Sequence, residues 1–401
     1  MIDRPTYRAA ISPFIGTNVI KVLMGVRRSG KSTILSQIRN ELLTRGVPES
    51  SLVTANLESG ALANIVNASD LYAHVTSHLA PKGKTYVFLD EVQEVIGWEK
   101  ALRSLMADFD VDLYVTGSNA HLLSSELATH ITGRYVEIPV YPLSFKEYLD
   151  GLGQAGLAST REGFRRYVVQ GGFPFQAELS FSETPTMQYV DSVYSTILLK
   201  DVVRREGIRD ADLLTRVLRY AIDQVGHTLS AANIASFLKS ESRKASLETI
   251  YSYLRAAEAA CLLYRIGRED AVGKQTLRFN EKFYVVDQGI RQALGYSNVD
   301  AIDQTLENIA CMELLRRGYR VRVGKVGNKE IDFVATRDDT RSYYQVTYLV
   351  ASPQTEQREF GVLEEISDNY PKFVLSLDEF PRSRNGIRGL NLVDWLLEED
   401  D

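Results

Sequence analysis

The first 150 residues alternate short apolar runs with longer segments in which apolar residues recur every three or four positions. Short apolar runs are typical of buried strands, and the longer spacing is typical of amphipathic helices. The alternation predicts repeated βα units on a parallel sheet. We expect strands at Val19–Val26, Leu52–Leu57, Thr85–Leu89, Leu113–Thr116 and Tyr135–Val140. We expect helices at Ser32–Arg45, Ser69–Leu79, Glu99–Phe109 and Ala120–Ile131.

The pattern changes after a glycine-rich stretch at Gly151–Gly156. Residues 160–225 have mainly helical spacing, interrupted at Gly171–Pro174, which a helix interior does not tolerate. Two helices at Ala231–Lys239 and Ser246–Ala257 then precede strand-like runs. These runs are Cys261–Ile266, Thr276–Phe279 and Phe283–Val286. Two helices followed by a hairpin predict a winged-helix arrangement.

The last hundred residues predict a further α/β segment. A helix is expected at Leu306–Arg317, and strands are expected near Tyr319–Val323, Ile331–Thr336, Tyr343–Leu349 and Lys372–Leu377. The full chain of 401 residues exceeds the size of most single hydrophobic cores, so we expect several domains.

Composition narrows the class of protein. The chain is 44% hydrophobic and 24% charged, as in ordinary globular proteins, and its net charge of −6 argues against a surface built to coat nucleic acid. Two cysteines, Cys261 and Cys311, exclude a disulfide framework and a cysteine-rich zinc site, and favour the cytoplasm. No apolar run reaches the roughly 18–20 residues that span a bilayer, so we expect no membrane partner.

A phosphate-binding motif follows the first predicted strand. The sequence from Gly25 to Ser32 fits G-x-x-x-x-G-K-[ST], with a strand before it and a helix after it. Glycines allow the loop to wrap around phosphate, and a helix N-terminus adds its dipole. Lys31 would contact the β- and γ-phosphates, and Ser32 would bind Mg²⁺. The predicted nucleotide-binding residues are Gly25, Val26, Arg27, Arg28, Ser29, Gly30, Lys31, Ser32 and Thr33.

Two acids end the third predicted strand, and small polar residues end the fourth. Asp90 would hold Mg²⁺ through water, and Glu91 would act as the general base for the attacking water. Asn119 would orient that water, with Ser118 as the alternative. Ser and Asn at such junctions also serve as helix caps, so that interpretation stays open.

Several stretches together resemble a prokaryotic AAA+/STAND-like family of P-loop ATPases, which joins an AAA-type module to a nuclease-like C-terminal domain. The stretches are GVRRSGKST, YVFLDEVQEV, LYVTGSNA, TGRYVEIPVYPLSFKEYL, GGFP, EIDFVA and YYQVTY. The resemblance implies binding of ATP and Mg²⁺, a helical lid and a winged-helix segment.

The resemblance also implies roles for two further sites. Arg134 takes the place of an arginine that reaches the γ-phosphate in a neighbouring subunit; the alternative is a surface arginine paired with an acid. Gly171–Pro174 resembles a lid motif that packs near adenine; the alternative is a plain interhelical turn.

The C-terminal half offers a candidate DNA contact and a candidate nuclease site. Residues 200–300 carry 16 Lys and Arg against 13 Asp and Glu, and the winged-helix residues available for DNA would be Arg243, Lys244, Tyr251 and Arg255. Winged helices also serve as protein-binding modules. The last domain resembles the PD-(D/E)xK nuclease fold.

In the nuclease resemblance, Glu307 and Asp332 would be the acids and Gln345 a metal ligand. Thr347 stands where that family has its lysine, with Lys329 as the nearest substitute, so we predict an inactive domain.

The predicted fold class is α/β: a P-loop AAA-type parallel-sheet core (1–150), a helical lid (151–200), a winged-helix segment (201–300) and a restriction-endonuclease-like domain (301–401). The predicted function is Mg²⁺-dependent ATP hydrolysis that drives conformational change or assembly, with ATP and ADP as ligands and a homo-oligomer as the assembly. The alternatives are a nucleotide-gated switch or interaction scaffold with negligible turnover, and a DNA-processing ATPase or nuclease.

Overall fold

The computed structural model describes residues 2–119, 133–156, 159–273 and 275–398, with the backbone alone for 276–280. The helix predicted at Ala120–Ile131 lies outside the described residues. The chain forms two compact units. Unit 1 comprises Met1–Tyr141 with Ala259–Cys261, and unit 2 comprises Pro142–Glu258 with Leu262–Asp401. The four-part division into 1–150, 151–200, 201–300 and 301–401 stays a prediction.

Unit 1 contains a five-stranded parallel sheet in the order β2-β3-β4-β1-β5. The five apolar runs of the sequence all form strands, which confirms the predicted parallel-sheet core. The strands are β1 (Ile20–Met24), β2 (Leu52–Asn56), β3 (Thr85–Asp90), β4 (Val111–Gly117) and β5 (Tyr135–Pro139).

Helices cover both faces of this sheet, as a parallel sheet requires. Val22, Val87 and Val115 face one apolar layer, which is completed by α3 and α4. Leu23 and Phe88, each one position further along its strand, face the opposite layer, because side chains alternate along a strand. Among the described residues of unit 1, the α-helices are α1 (Pro5–Ile11), α2 (Lys31–Thr44), α3 (Ala68–Thr76) and α4 (Trp98–Asp108).

Unit 2 begins with helices and ends with a seven-stranded mixed sheet. Residues 197–204 continue the third of these helices as a π-helical turn. The helices are α5 (Phe145–Gln154), α6 (Thr160–Gln170), α7 (Glu183–Thr196), α8 (Ala211–Asp223), α9 (Ala231–Ser240), α10 (Leu247–Ala259), α11 (Gln288–Ala293), α12 (Ile302–Arg316), α13 (Pro353–Glu364) and α14 (Leu392–Leu397). The strands are β6 (Leu263–Asp270), β7 (Gln275–Val285), β8 (Arg320–Val326), β9 (Lys329–Arg337), β10 (Thr340–Val346), β11 (Lys372–Ser376) and β12 (Arg388–Asn391).

The hairpin that the sequence suggested as a wing belongs to the same sheet as the C-terminal strands. The strand order is β12-β11-β10-β9-β8-β6-β7, and β6 pairs with β8 in parallel at Arg268–Asp270. The runs Thr276–Phe279 and Phe283–Val286, expected as two strands, lie on the single strand β7 or at its end. Pairing between segments so distant in sequence leaves no trace in local hydrophobic spacing.

The GGFP turn packs against a buried carboxylate within unit 2. Gly171 has φ +72°, and a Cβ at this position would lie 1.8 Å from Asp287 Oδ1. Asp287 Oδ2 accepts a hydrogen bond from Gly172 N at 2.6 Å, and Oδ1 accepts one from Gly289 N at 2.8 Å. Burial raises the pKa of Asp287 to about 6, against the effect of these two donors. Because Gly171 and Gly289 have no Cβ, they leave room for the Asp287 side chain at the start of α11.

We predict that Gly171→Ala destabilises unit 2 by about 2–4 kcal/mol, because it combines left-handed strain with displacement of a hydrogen-bonded carboxylate. Urea unfolding followed by circular dichroism measures the effect. Gly153→Ala is the matched control, since Gly153 has open space around its Cβ position and no positive φ. Equal unfolding midpoints for the two variants would contradict the role of Asp287.

Candidate functional site

The loop between β1 and α2 makes a close turn that only glycine permits at its first position. A Cβ on Gly25 would lie 1.9 Å from the carbonyl oxygen of Val140, so any larger residue would displace the backbone. Gly30 begins α2 with φ +98°, and no side chain caps the helix. The first N–H groups of a helix have no partner within the helix, and this N-terminus is therefore suited to an anion.

Lys31 is the buried cation of this loop, with 3% of its surface exposed. Its Nζ donates to the carbonyl oxygens of Gly25 and Val26, both at 3.0 Å, and lies 3.9 Å from Glu91 Oε1. Burial lowers the pKa of Lys31, and the nearby Glu91 carboxylate opposes that shift. A bound phosphate would supply this ammonium with a stronger acceptor than neutral carbonyl groups.

The rest of the loop supplies a second buried polar group. The Ser29 side chain is fully buried, and its Oγ has no hydrogen-bond partner among the described residues. Arg27 pairs with Glu58 at 2.9 Å, whereas Arg28 is exposed. An orphaned buried hydroxyl beside an uncapped helix terminus is what a loop that binds phosphate oxygens would contain.

One hydroxyl ties the two strand-end acids to the neighbouring strand. Thr116 of β4 donates to Asp90 Oδ1 at 2.5 Å, and the same Oγ1 accepts from Glu91 N at 2.9 Å. Glu91 has the left-handed φ of +55°, a conformation that costs a non-glycine residue about 1–2 kcal/mol. Asp90 and Glu91 are each 8% exposed. Thr116 therefore fixes the Asp90 carboxylate and the Glu91 backbone at one end of the sheet.

The two polar residues after β4 lie in this region. Ser118 is fully buried, and its Oγ accepts from Gln93 Nε2 at 3.4 Å. The same Nε2 donates to Glu91 Oε2. Asn119 follows directly and is 8% exposed. The structure thus connects Ser118 to Glu91, while the sensing role of Asn119 stays a prediction.

Arg134, the predicted finger, lies just before β5 with an exposed side chain. Its carbonyl oxygen accepts from Ile20 N at 2.9 Å, so its backbone continues the pairing of β5 with β1. Exposure fits both interpretations of this arginine, and its action on a neighbouring subunit stays a prediction.

The oxygen donors of this site fit Mg²⁺ only together with a phosphate ligand. Asp90 contributes a carboxylate, and Ser32, exposed in the first turn of α2, contributes a hydroxyl. Within the described ranges, no group of three or more His, Cys, Asp or Glu residues could hold a metal ion. Mg²⁺ is commonly bound by one or two protein oxygens with phosphate and water as its other ligands.

Sequence reasoning missed three residues that shape this site: Thr116, Gln93 and Arg4. A threonine inside a buried strand was a usable signal, because a buried hydroxyl requires a partner. Arg4 gave no such signal. Its guanidinium is buried, donates to Ser29 O at 2.9 Å and lies over the Tyr7 ring, so the segment before β1 also supports the loop.

Glu307 and Asp332, the two acids of the nuclease resemblance, lie close together in unit 2, and a lysine that the sequence did not predict lies between them. Lys282 of β7 is 3% exposed, and its Nζ lies 2.8 Å from Glu307 Oε1, 2.6 Å from Glu330 Oε1 and 4.0 Å from Asp332 Oδ1. Burial alone would lower the pKa of Lys282. The nearby carboxylates outweigh burial and hold this pKa above the ordinary lysine value. The cation of this cluster therefore comes from β7.

Lys329, the nearest substitute by sequence, does not supply that charge. It forms an ion pair at 2.5 Å with Glu365, and both side chains are about half exposed. The reason is strand geometry: Lys329 begins β9, whereas Lys282 is carried into the cluster by the hairpin β6–β7.

The predicted metal ligands of this cluster are already hydrogen bonded within the protein. Gln345 Oε1 accepts from Asp332 N and its Nε2 donates to Glu359 Oε2, both at 2.8 Å. Asp332 Oδ2 accepts from Val346 N at 2.9 Å, and burial raises the pKa of Asp332, as does Glu307. Thr347, at the place of the family's lysine, is 2% exposed. These contacts hold Gln345 and Asp332 in a buried polar network within the protein.

The helices predicted for DNA contact are present as α9 and α10. Arg243, Lys244, Tyr251 and Arg255 are all exposed. Arg243 pairs with Asp212 at 3.0 Å, which reduces the positive charge that it offers to a phosphate backbone.

Among the helices of the described residues, none combines the length and the apolar composition that a membrane span requires.

Comparisons with known proteins agree with the geometry of unit 1. Residues 17–149 match a family described as an AAA domain, and residues 161–303 match a domain of unknown function. An uncharacterized protein of Haemophilus influenzae is 37% identical over 405 residues, which covers 99% of this chain and 99% of that protein. An uncharacterized protein of Methanocaldococcus jannaschii is 29% identical over 347 residues, which covers 84% of this chain and 74% of that protein.

A similar fold occurs in a solved structure. A Walker-type ATPase of Pyrococcus abyssi aligns with a TM-score of 0.53 and 16% identity, covering 74% of this chain and 96% of that chain. Residues 17–149 therefore match an AAA domain that contains the P-loop, and the fold is similar to that of a Walker-type ATPase. The chain belongs to the same protein family as the Haemophilus influenzae protein, since the two are similar from end to end.

We predict that Lys282→Met destabilises unit 2 by about 3–5 kcal/mol, because it leaves buried carboxylates without their cation. Lys329→Met is the matched control and should change stability by less than about 1 kcal/mol, as expected for an exposed ion pair. Urea unfolding measures both. Equal stabilities for Lys282→Met and the wild-type protein would contradict the structural role of Lys282.

Proposed function

We propose that this protein binds ATP with Mg²⁺ at the P-loop and hydrolyses it to ADP and phosphate. The observation that carries the proposal is the pairing of Lys31 Nζ with Glu91 Oε1 at 3.9 Å, at the end of β3 and beside an uncapped helix N-terminus. A buried cation for phosphate and a buried carboxylate for water thus share one site.

Each residue has a stated role in this proposal. Backbone N–H groups at the start of α2 and the Lys31 ammonium hold the phosphates. Ser32 and Asp90 would hold Mg²⁺, which supplies charge neutralisation when bound. Glu91 takes the proton of the attacking water, and Asn119 orients that water. Hydrolysis would drive conformational change or assembly of the chain.

We expect Lys31→Ala to weaken Mg²⁺-ATP binding by about 10²-fold, because the variant loses a buried charge that faces the phosphates. Titration with a fluorescent ATP analogue measures affinity, and circular dichroism checks the fold. Lys100→Ala, on the exposed side of α4, is the control. Affinity within about 2-fold of wild type in Lys31→Ala would refute the phosphate site.

We expect Glu91→Gln to keep Mg²⁺-ATP affinity and to lose turnover by about 10²–10⁴-fold, the contribution of a positioned general base. Phosphate release measures turnover, and the exposed neighbour variant Glu94→Gln should match wild type. A wild-type protein that binds ATP without turnover would instead favour the nucleotide-gated switch. Loss of binding in Glu91→Gln would assign this residue to the metal or to the fold.

A homo-oligomer follows if Arg134 acts on the γ-phosphate of a neighbouring subunit, and turnover per chain should then rise with protein concentration. Mixing Arg134→Ala with Glu91→Gln chains should restore part of the activity, because some interfaces combine an intact half from each variant. A finger contributes about 10³–10⁵ in turnover, so even a few such interfaces are detectable. A flat rate per chain and no rescue on mixing would exclude action between subunits.

The C-terminal cluster supports a structural rather than a nucleolytic role. Lys282 offsets part of the charge of its acids, and the amide oxygen of Gln345 accepts a hydrogen bond from Asp332 N. We therefore expect no cleavage of single- or double-stranded DNA with Mg²⁺ or Mn²⁺. Cleavage that disappears in Asp332→Ala would overturn this expectation. Turnover measured with and without duplex DNA tests the separate contact predicted for α10.

A further inference from the structure

Gln93 connects the proposed general base to Ser118, the alternative water-orienting residue, which directly follows β4. It lies in the short helical turn Val92–Glu94, directly after Glu91. Its Nε2 donates to Glu91 Oε2 and also to Ser118 Oγ, at 3.4 Å. The amide orientation follows from this network, because the reversed amide would face its oxygen toward a carboxylate.

The amide oxygen of Gln93 indicates that this side chain is not placed for stability alone. Gln93 Oε1 is buried and has no hydrogen-bond partner among the described residues. A buried acceptor without a partner costs about 1–3 kcal/mol. Unsatisfied polar groups and local strain concentrate where a function requires them, and the left-handed backbone of Glu91 lies two residues away.

The contacts of Glu91 leave its carboxylate little freedom. Its backbone N is held by Thr116 Oγ1, its Oε1 lies 3.9 Å from Lys31 Nζ, and its Oε2 accepts from Gln93. A carboxylate with one oxygen tied in this way presents the other toward the phosphate-binding lysine. We propose that Gln93 is a positioning residue for ATP hydrolysis, which orients Glu91 and couples it to Ser118. The inference rests on the proposed function.

The test is a double-mutant cycle on phosphate release. Gln93→Leu keeps the approximate size of the side chain and removes the amide, so kcat should fall about 10-fold or more while KM for Mg²⁺-ATP stays within about 2-fold. In a Glu91→Gln background, the same change should alter the residual rate by less than about 2-fold, because no base remains to be oriented. Ser118→Ala should lower kcat less than Gln93→Leu does.

Two further variants separate positioning from damage to the fold. Gln93→Asn, one methylene shorter, withdraws the amide from both oxygens and should reproduce the kcat loss if Gln93→Leu fails to fold. Glu94→Leu, at the exposed neighbouring position, should match wild type. A loss of equal size in the wild-type and Glu91→Gln backgrounds, or no loss at all, would overturn the role of Gln93 alone. A wild-type protein with no phosphate release above Lys31→Ala would overturn the proposed function, and this role with it.

Discussion

The hydroxyl of Thr116 is the contact on which the candidate site depends. It donates to the Asp90 carboxylate and accepts from the backbone of Glu91, so a single atom on β4 holds the last residue of β3 and the acid that follows it. The bond to the Asp90 carboxylate is charge-assisted and worth about 1.5–3 kcal/mol. The neutral bond from Glu91 N is worth about 0.5–1.5 kcal/mol and opposes the cost of the left-handed backbone at Glu91. Because β3 and β4 are parallel neighbours, their carboxyl ends meet at the same edge of the sheet.

Burial gives this edge its electrostatic character. Lys31, Asp90 and Glu91 are each less than 10% exposed, so their charges are screened little by water and act on one another strongly. The positive charge of Lys31 is balanced by two carbonyl oxygens of the loop and by Glu91. The positive charge of Lys282 faces three carboxylates of the C-terminal cluster. At the loop, the N-terminus of α2 has no capping side chain and can receive an anion. In the C-terminal cluster, the amide oxygen of Gln345 already accepts a hydrogen bond from Asp332 N.

The sequence allowed the parallel core and the phosphate loop to be predicted because both depend on contiguous residues. The five apolar runs form five strands, and the Gly25–Ser32 motif follows β1 directly and runs into the first turn of α2, as its spacing required. Contacts such as Gln93 with Ser118 depend on which strands are neighbours, and local spacing carries no such information. Lys282 was missed for the same reason, since β6 and β7 join β8 only through pairing between distant segments.

We expect Thr116 to control turnover through Asp90 and Glu91, and a pair of substitutions at this position tests that role. Steady-state phosphate release should fall about 10–100-fold in Thr116→Val, which keeps the shape of the side chain and removes the hydroxyl. Thr116→Ser keeps the hydroxyl and should stay within about 3-fold of wild type. A folded Thr116→Val protein with wild-type turnover would contradict the claim that this hydroxyl assembles a catalytic site.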